Sequence, residues 1–320
     1  MKARLVVVGL GRIGRLHASN LAGRVPGAEL VGAVDAVERV ARAVGDEHGV
    51  PWSTSLDGLA TECDGVVIAA PTALHADLVE RLAAAGRHVF CEKPLGFDLD
   101  AAGRALCAVE AAGVELQVGF QRRFDPDWLS LRELLTSGEL GQLQLFRCSH
   151  RNTREPEATA QLGDLFVDLA IHDLDAARWL AGEVTELYAQ ERLGSATIAL
   201  RFESGALGLI DVSRRAGYGF DCSGEVVGLR ATAHVGPVRT PVELLRDGRA
   251  SVPLPGDHSQ HHDAAYVAEL EHFGQVALGG PARGAGGADA LAALRLALLA
   301  RRSAAIGAPV GTSARPVAAA

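Results

Sequence analysis

Three groups of residues in this sequence have types and spacings that suit chemistry. Asp168 and His172 stand four positions apart in the run LFVDLAIHDLD. If that run is helical, the two side chains lie one turn apart on one face. A carboxylate so placed can orient an imidazole and stabilise its protonated form, which a general base requires. Lys93 stands in Glu92-Lys93-Pro94. A lone lysine is ordinarily a solvated cation; one held before a proline at a ligand-binding sheet edge can instead stabilise a developing alkoxide. The third group is Gly9-Leu10-Gly11-Arg12-Ile13-Gly14, with Asp35 twenty-one positions beyond Gly14.

These residues need elements to position them. Arg4–Val8 reads as a β-branched strand running into the glycines, a helix follows to about Ala22, and Glu29–Val34 reads as a second strand ending in Asp35. Strand, GxGxxG, helix, strand, acid is the dinucleotide-binding pattern. Gly9 allows the tight turn, Gly11 the approach of a pyrophosphate, and Gly14 close helix–strand contact. The helix N-terminus offers its N–H groups to the phosphates. The alternation continues through strand 65–70, helix 73–85, strand 87–90, helix 98–112 and strand 115–118. That predicts a doubly wound parallel sheet, with Asp35, Ala70-Pro71-Thr72 and Glu92-Lys93-Pro94 at the carboxyl strand ends where ligands bind.

After Val118 the pattern changes. Asp125-Pro126 caps a helix to about Ser137, 142–150 reads as a strand, and the Asp168–His172 helix follows. Runs 184–190, 197–202, 206–213, 221–227, 230–235 and 242–245 read as strands without helices between them, with Ser204-Gly205 and Asp247-Gly248 at hairpin turns. The fold class expected is α/β: a Rossmann sheet over 1–118, then an α+β domain over 119–320 with a large, mostly antiparallel sheet. Helices at about 263–278 and 289–306 close the chain, the last being the candidate to pack back on the first domain.

Composition narrows the function. The 320 residues carry a net charge of −8, and no basic cluster is interleaved with aromatics, which argues against nucleic acid as partner. No apolar run has membrane-spanning length, and the N-terminal MKARLVVVGLG leads into the glycine motif instead of a cleavage site. Five cysteines without a CxxC pair suit a reduced, cytoplasmic protein. Asp257, His258, His261, His262 and Asp263 are close in sequence, but His261 and His262 should face different ways on a helix, so no metal site is expected. Asp173 and Asp175 read as helix-surface or substrate-mouth residues, and Arg123, Arg147 and Arg151 as salt-bridge partners at the surface or between domains.

The order GxGxxG, Asp35, Glu92-Lys93-Pro94 and Asp168-x-x-x-His172 resembles the Gfo/Idh/MocA oxidoreductases over essentially the whole chain. Gly119-Phe120-x-Arg122-Arg123-Phe124-Asp125 and Ser149-His150-Arg151-Asn152 look most like the inositol dehydrogenases. The resemblance implies NAD as cofactor, held by Gly9, Gly11, Arg12, Ile13, Gly14, Asp35, Ala70, Pro71, Thr72, His75, Glu92 and Lys93. It implies His172 as the base that takes a hydroxyl proton while hydride leaves the same carbon. Asp168 would orient it and contact substrate, and Lys93 would touch both nicotinamide ribose and the reacting hydroxyl. Arg122, His150, Asn152 and Phe220 would surround a polyol ring. Tyr218-Gly219-Phe220 departs from the Tyr-Gly-Tyr often found there, removing one phenolic hydroxyl near the ring. The implied activity is oxidation of a myo- or scyllo-inositol-type cyclitol. A sugar or aminocyclitol-pathway dehydrogenase or ketoreductase, and an NAD-dependent glycoside hydrolase, stay open. A homo-oligomer, dimer or tetramer, is also implied.

Overall fold

The computed structural model describes residues 1–152, 164–236 and 257–313. The expected strand Val242–Leu245 and its Asp247-Gly248 turn lie outside them. The chain forms two compact units, one of Met1–Phe124 with Ala264–Leu291, the other of Asp125–Asp263 with Ala292–Ala320.

The first unit runs β1 (Ala3–Val8), α1 (Arg12–Gly23), β2 (Ala28–Val34), α2 (Glu38–His48), β3 (Trp52–Ser53), β4 (Gly65–Ile68), α3 (His75–Ala84), β5 (His88–Glu92), α4 (Leu99–Ala112) and β6 (Leu116–Gly119). All its strand pairs are parallel, in the order β3-β2-β1-β4-β5-β6. This is the doubly wound arrangement expected. Consecutive residues Val6, Val7, Val66, Val67 and Ile68 are all fully buried, as strands covered on both faces require. Local signals set the helix limits: Asp98 accepts a hydrogen bond from the Ala101 N–H (2.8 Å) at the start of α4, and Gly113 ends it at φ +65°.

The sequence boundary after Val118 moves. This unit extends to Phe124 and takes back 264–291, because the helix Asp263–Ala277 supplies core to it. The Phe273 ring is fully buried, 5.9 Å from that of Phe90. The Gln117 side chain donates to Glu269 O at 2.9 Å. Return to the first unit is thus made by that helix together with only the opening of the last one, Gly287–Ile306.

The second unit holds α5 (Pro126–Thr136), β7 (Leu143–Arg151), β8 (Val184–Arg192), β9 (Ser195–Phe202), β10 (Leu207–Ser213), β11 (Asp221–Gly228), β12 (Thr232–Val235) and β13 (Val310–Gly311). Its sheet has the order β12-β11-β7-β10-β9-β8-β13, antiparallel except where β7 meets β10. Gly205, at φ +86°, makes the expected β9–β10 turn. Alternate residues of β9 are buried and exposed, the mark of a sheet covered on one face. The helix Ile171–Ala181 packs on β7 and β10. Asp173 and Asp175 on it are almost wholly buried, so the helix-surface expectation fails for both. An i, i+3, i+4 reading gives this helix an outer face, but its flanks are buried as well.

Candidate active site

In the first unit the glycine turn is built as its spacing requires. Gly9 sits at φ +84°, and a Cβ there would lie 2.4 Å from Ala70 Cα; one on Gly14 would lie 1.8 Å from Gly9 O. A Cβ on Gly11, by contrast, would meet nothing within 4 Å. Only the middle glycine borders open space, as a motif shaped for a ligand demands. Gly11 is also the N-cap of α1 and provides no side-chain cap, so the positive end of the helix opens on the glycine turn. Asp35 follows β2; its carboxylate accepts from Leu10 N–H (2.8 Å) and Val37 N–H (2.9 Å) and retains lone pairs for two hydroxyls. These residues fit a dinucleotide: phosphates at Gly11, adenosine ribose at Asp35.

The rest of the expected cofactor set divides. Ala70, Pro71 and Thr72 follow β4, and Lys93 follows β5, at the carboxyl edge of the sheet. His75 is different. It is buried, with Nδ1 2.7 Å from Pro94 O and Nε2 2.7 Å from Ala70 O. Each ring nitrogen faces a carbonyl, and the neutral ring donates its one N–H to one of them, so His75 braces the loops after β4 and β5. Burial pushes its pKa below the ordinary imidazole value, although both carbonyls oppose this. Glu92 also turns inward, its Oε1 lying 2.8 Å from Nε2 of the buried His17. Behind them is Glu269, fully buried, with neither carboxylate oxygen hydrogen-bonded among the described residues. Burial, and then the charge of Glu92, push its pKa well above the ordinary range. Arg122, 2% exposed, lies in the 3₁₀ turn Gln121–Phe124 after β6.

The second unit holds the remaining predicted residues. His150, buried near the end of β7, has Nδ1 3.2 Å from Asp173 Oδ2; the other Asp173 oxygen accepts from Cys148 Sγ at 3.0 Å. The rings of His150 and His172 are 6.2 Å apart. Phe220 stands edge-on to His150 at 5.6 Å, and Asn152 follows β7, its N–H donating to Ser213 O at 2.8 Å. The structure therefore brings His150, His172 and Phe220 together. Asp168 differs from the helical expectation, because Phe166–Ala170 is a π-turn that runs into the narrower α-helix at Ile171. Such insertions often mark functional positions. Arg214, which sequence reasoning missed, donates from Nη2 to Asp168 Oδ2 at 2.8 Å. The signal was a second arginine pair, Arg214-Arg215, directly after a strand.

Arg123 pairs with Asp289 (3.1 Å), Arg147 with Glu225 (3.3 Å) and Arg151 with Asp211, each an ion pair inside its own unit. His261 and His262 do not diverge. The short helix His258–His261 ends between them, and their rings approach to 4.5 Å.

Comparison with known proteins decides the family. Residues 3–120 match the model described as an oxidoreductase family with an NAD-binding Rossmann fold, and residues 128–234 match the GFO/IDH/MocA C-terminal domain. The chain belongs to the Gfo/Idh/MocA family. It is an NAD-dependent oxidoreductase. This Gfo/Idh/MocA chain is 35% identical to inositol 2-dehydrogenase of Rhizobium meliloti, over 95% of its own length and 97% of that protein's. It is 33% identical to scyllo-inositol 2-dehydrogenase (NAD(+)) of Bacillus subtilis, over 87% of each. Among solved structures, myo-inositol dehydrogenase of Corynebacterium glutamicum superposes with a TM-score of 0.87 at 28% identity, covering 97% of this chain and 99% of that one. Among the described residues of the Gfo/Idh/MocA chain, no helix is long and apolar enough to cross a membrane.

Proposed function

We propose that this enzyme oxidises a ring secondary alcohol of a cyclitol, of the myo- or scyllo-inositol type, to the ketone. NAD, when bound, supplies the two-electron oxidant. His172 accepts the hydroxyl proton at a ring nitrogen, and Asp168, held by Arg214, positions that imidazole and contacts the substrate. Lys93 supplies positive charge to the oxygen as its proton leaves. Arg122, His150, Asn152 and Phe220 hold the ring. The observation that carries this reading is the pair of nearly buried imidazoles, His150 and His172, set 6.2 Å apart beside Phe220. A polyhydroxylated ring presents both donors and acceptors to such a pair of imidazoles. The inositol dehydrogenases among its relatives, matched along nearly their full lengths, point the same way.

The test is a panel of inositols, aldoses, an aminocyclitol and a glycoside, each with NAD and NADP, read by absorbance of the reduced cofactor. NADH should accumulate with an inositol. Asp35 would set a like charge against a 2′-phosphate, so NAD should exceed NADP by at least roughly tenfold in kcat/KM, about 1.4 kcal/mol. Turnover of aldoses alone would remove the cyclitol assignment. Glycoside cleavage with no net NADH would replace oxidation by hydrolysis.

The open face of the second sheet, where Leu207 and Leu209 are exposed, is the proposed homo-oligomer contact. Sedimentation velocity returning a monomer would remove it.

A further inference from the structure

The second unit holds a set of donors that the proposed reaction does not use. Cys222 on β11 is fully buried, and His261 and His262 come from the end of the helix His258–His261, about forty residues further along. One ligand-type atom from each lies within 4.8 Å of the other two. The sequence offers only the histidines as neighbours; folding adds the sulfur. We infer that Cys222, His261 and His262 form a binding site for a zinc-class divalent ion.

The donor set argues for this. One thiolate and two neutral imidazoles match a borderline-soft ion, and hard cations such as magnesium prefer oxygen. A buried cysteine is usually just a small hydrophobe, and adjacent histidines often do no more than fill space. Against that bland reading stands Asp125. Its Oδ2 lies 2.8 Å from His262 Nδ1, so that nitrogen is the donor and the lone pair remains on Nε2. A carboxylate behind the far nitrogen is the support that metal-bound histidines generally have. Asp125 is itself fixed, because its other oxygen caps α5 through the Asp127 N–H at 3.0 Å.

Tetrahedral zinc spaces its ligand atoms roughly 3.5 Å apart, a contraction that the half-buried His261 side chain can supply by rotation. Binding exchanges the Cys222 S–H proton for the metal: one S–Zn bond forms, and the proton goes to solvent. Water completes the fourth position. The Phe220 ring is 5.3 Å from that of His261 and 5.6 Å from that of His150. The ion therefore fastens the wall on which Phe220 rests, and its role is to position that wall.

The experiment titrates the full chain, purified metal-free under reducing conditions, with Co²⁺ and then with competing Zn²⁺. One equivalent of cobalt should give a thiolate-to-cobalt charge-transfer band in the near ultraviolet and tetrahedral visible bands, both erased by zinc. Cys222→Ser should abolish the charge-transfer band. His261→Gln should weaken binding by tenfold or more, and Asp125→Asn by about tenfold, the loss typical of a removed supporting carboxylate. Exposed Cys107 is the control, and Cys107→Ser should keep the band. No band in the parent protein, or a band lost with Cys107 and kept without Cys222, would overturn the site. Circular dichroism monitors folding. If Cys222→Ser does not fold, His261→Gln decides, and unchanged cobalt affinity there equally overturns the proposal.

Discussion

Lys93 and His172 are where single substitutions should speak most clearly. A cation that matters most as the alkoxide forms contributes to turnover more than to ground-state binding. Lys93→Ala should therefore lower kcat on the order of a hundredfold while NAD affinity changes by less. Steady-state kinetics with a separate NAD titration measures both, and near-normal turnover would displace Lys93 from the site. His172 must be neutral to accept a proton, so oxidation should rise with pH as that ring loses its proton and then plateau. Ketone reduction needs the protonated form and should favour lower pH. The check is a pair of pH–rate profiles, native and His172→Ala. A flat native profile from about pH 6 to 9, with chemistry rate-limiting, would take the base role from His172.

At the scale of elements, the glycine turn separates folding from binding. Gly14→Ala puts a Cβ 1.8 Å from a backbone oxygen, so β1 or α1 must shift, and chemical denaturation should show a loss of roughly 1–3 kcal/mol. Gly11→Ala meets nothing within 4 Å. Its unfolding midpoint should stay in place while the NAD dissociation constant rises tenfold or more, since the new methyl occupies the pyrophosphate approach. This turn was legible from sequence because the spacing of its glycines between strand and helix marks it. So were α4, with Asp98 and Gly113 at its ends, and β9, with its period of two. The π-turn at Phe166–Ala170 was not, because Asp168-x-x-x-His172 has the same spacing in an α-helix. Nor were Arg214 on Asp168, Asp173 beneath His150, or Cys222 beside His261 and His262, all long-range meetings with no periodic signal.

For the whole molecule, stability should depend on pH through Glu269. Burial raises its folded pKa, so the protonated carboxyl is the form that suits the fold. Its contribution is complete below the ordinary carboxylate value and declines as pH rises through the elevated one. Denaturant unfolding should thus show stability falling from mildly acidic towards neutral pH. Glu269→Gln, neutral and similar in shape, should flatten that slope and leave the protein more stable at neutral pH. A slope unchanged by the substitution would mean that another group carries it.

The first unit is closed by 264–291, which follows the whole central part of the second in the chain. A nascent chain leaving the ribosome therefore has its six strands long before it has Phe273 and Leu270, both fully buried in that unit's core. Until then Phe90 has no aromatic neighbour from that helix, and the growing polypeptide must carry a half-finished cofactor fold through synthesis. The same discontinuity constrains anyone grafting this module onto another enzyme. A cut at Phe124 exports the glycine turn and leaves part of its floor behind.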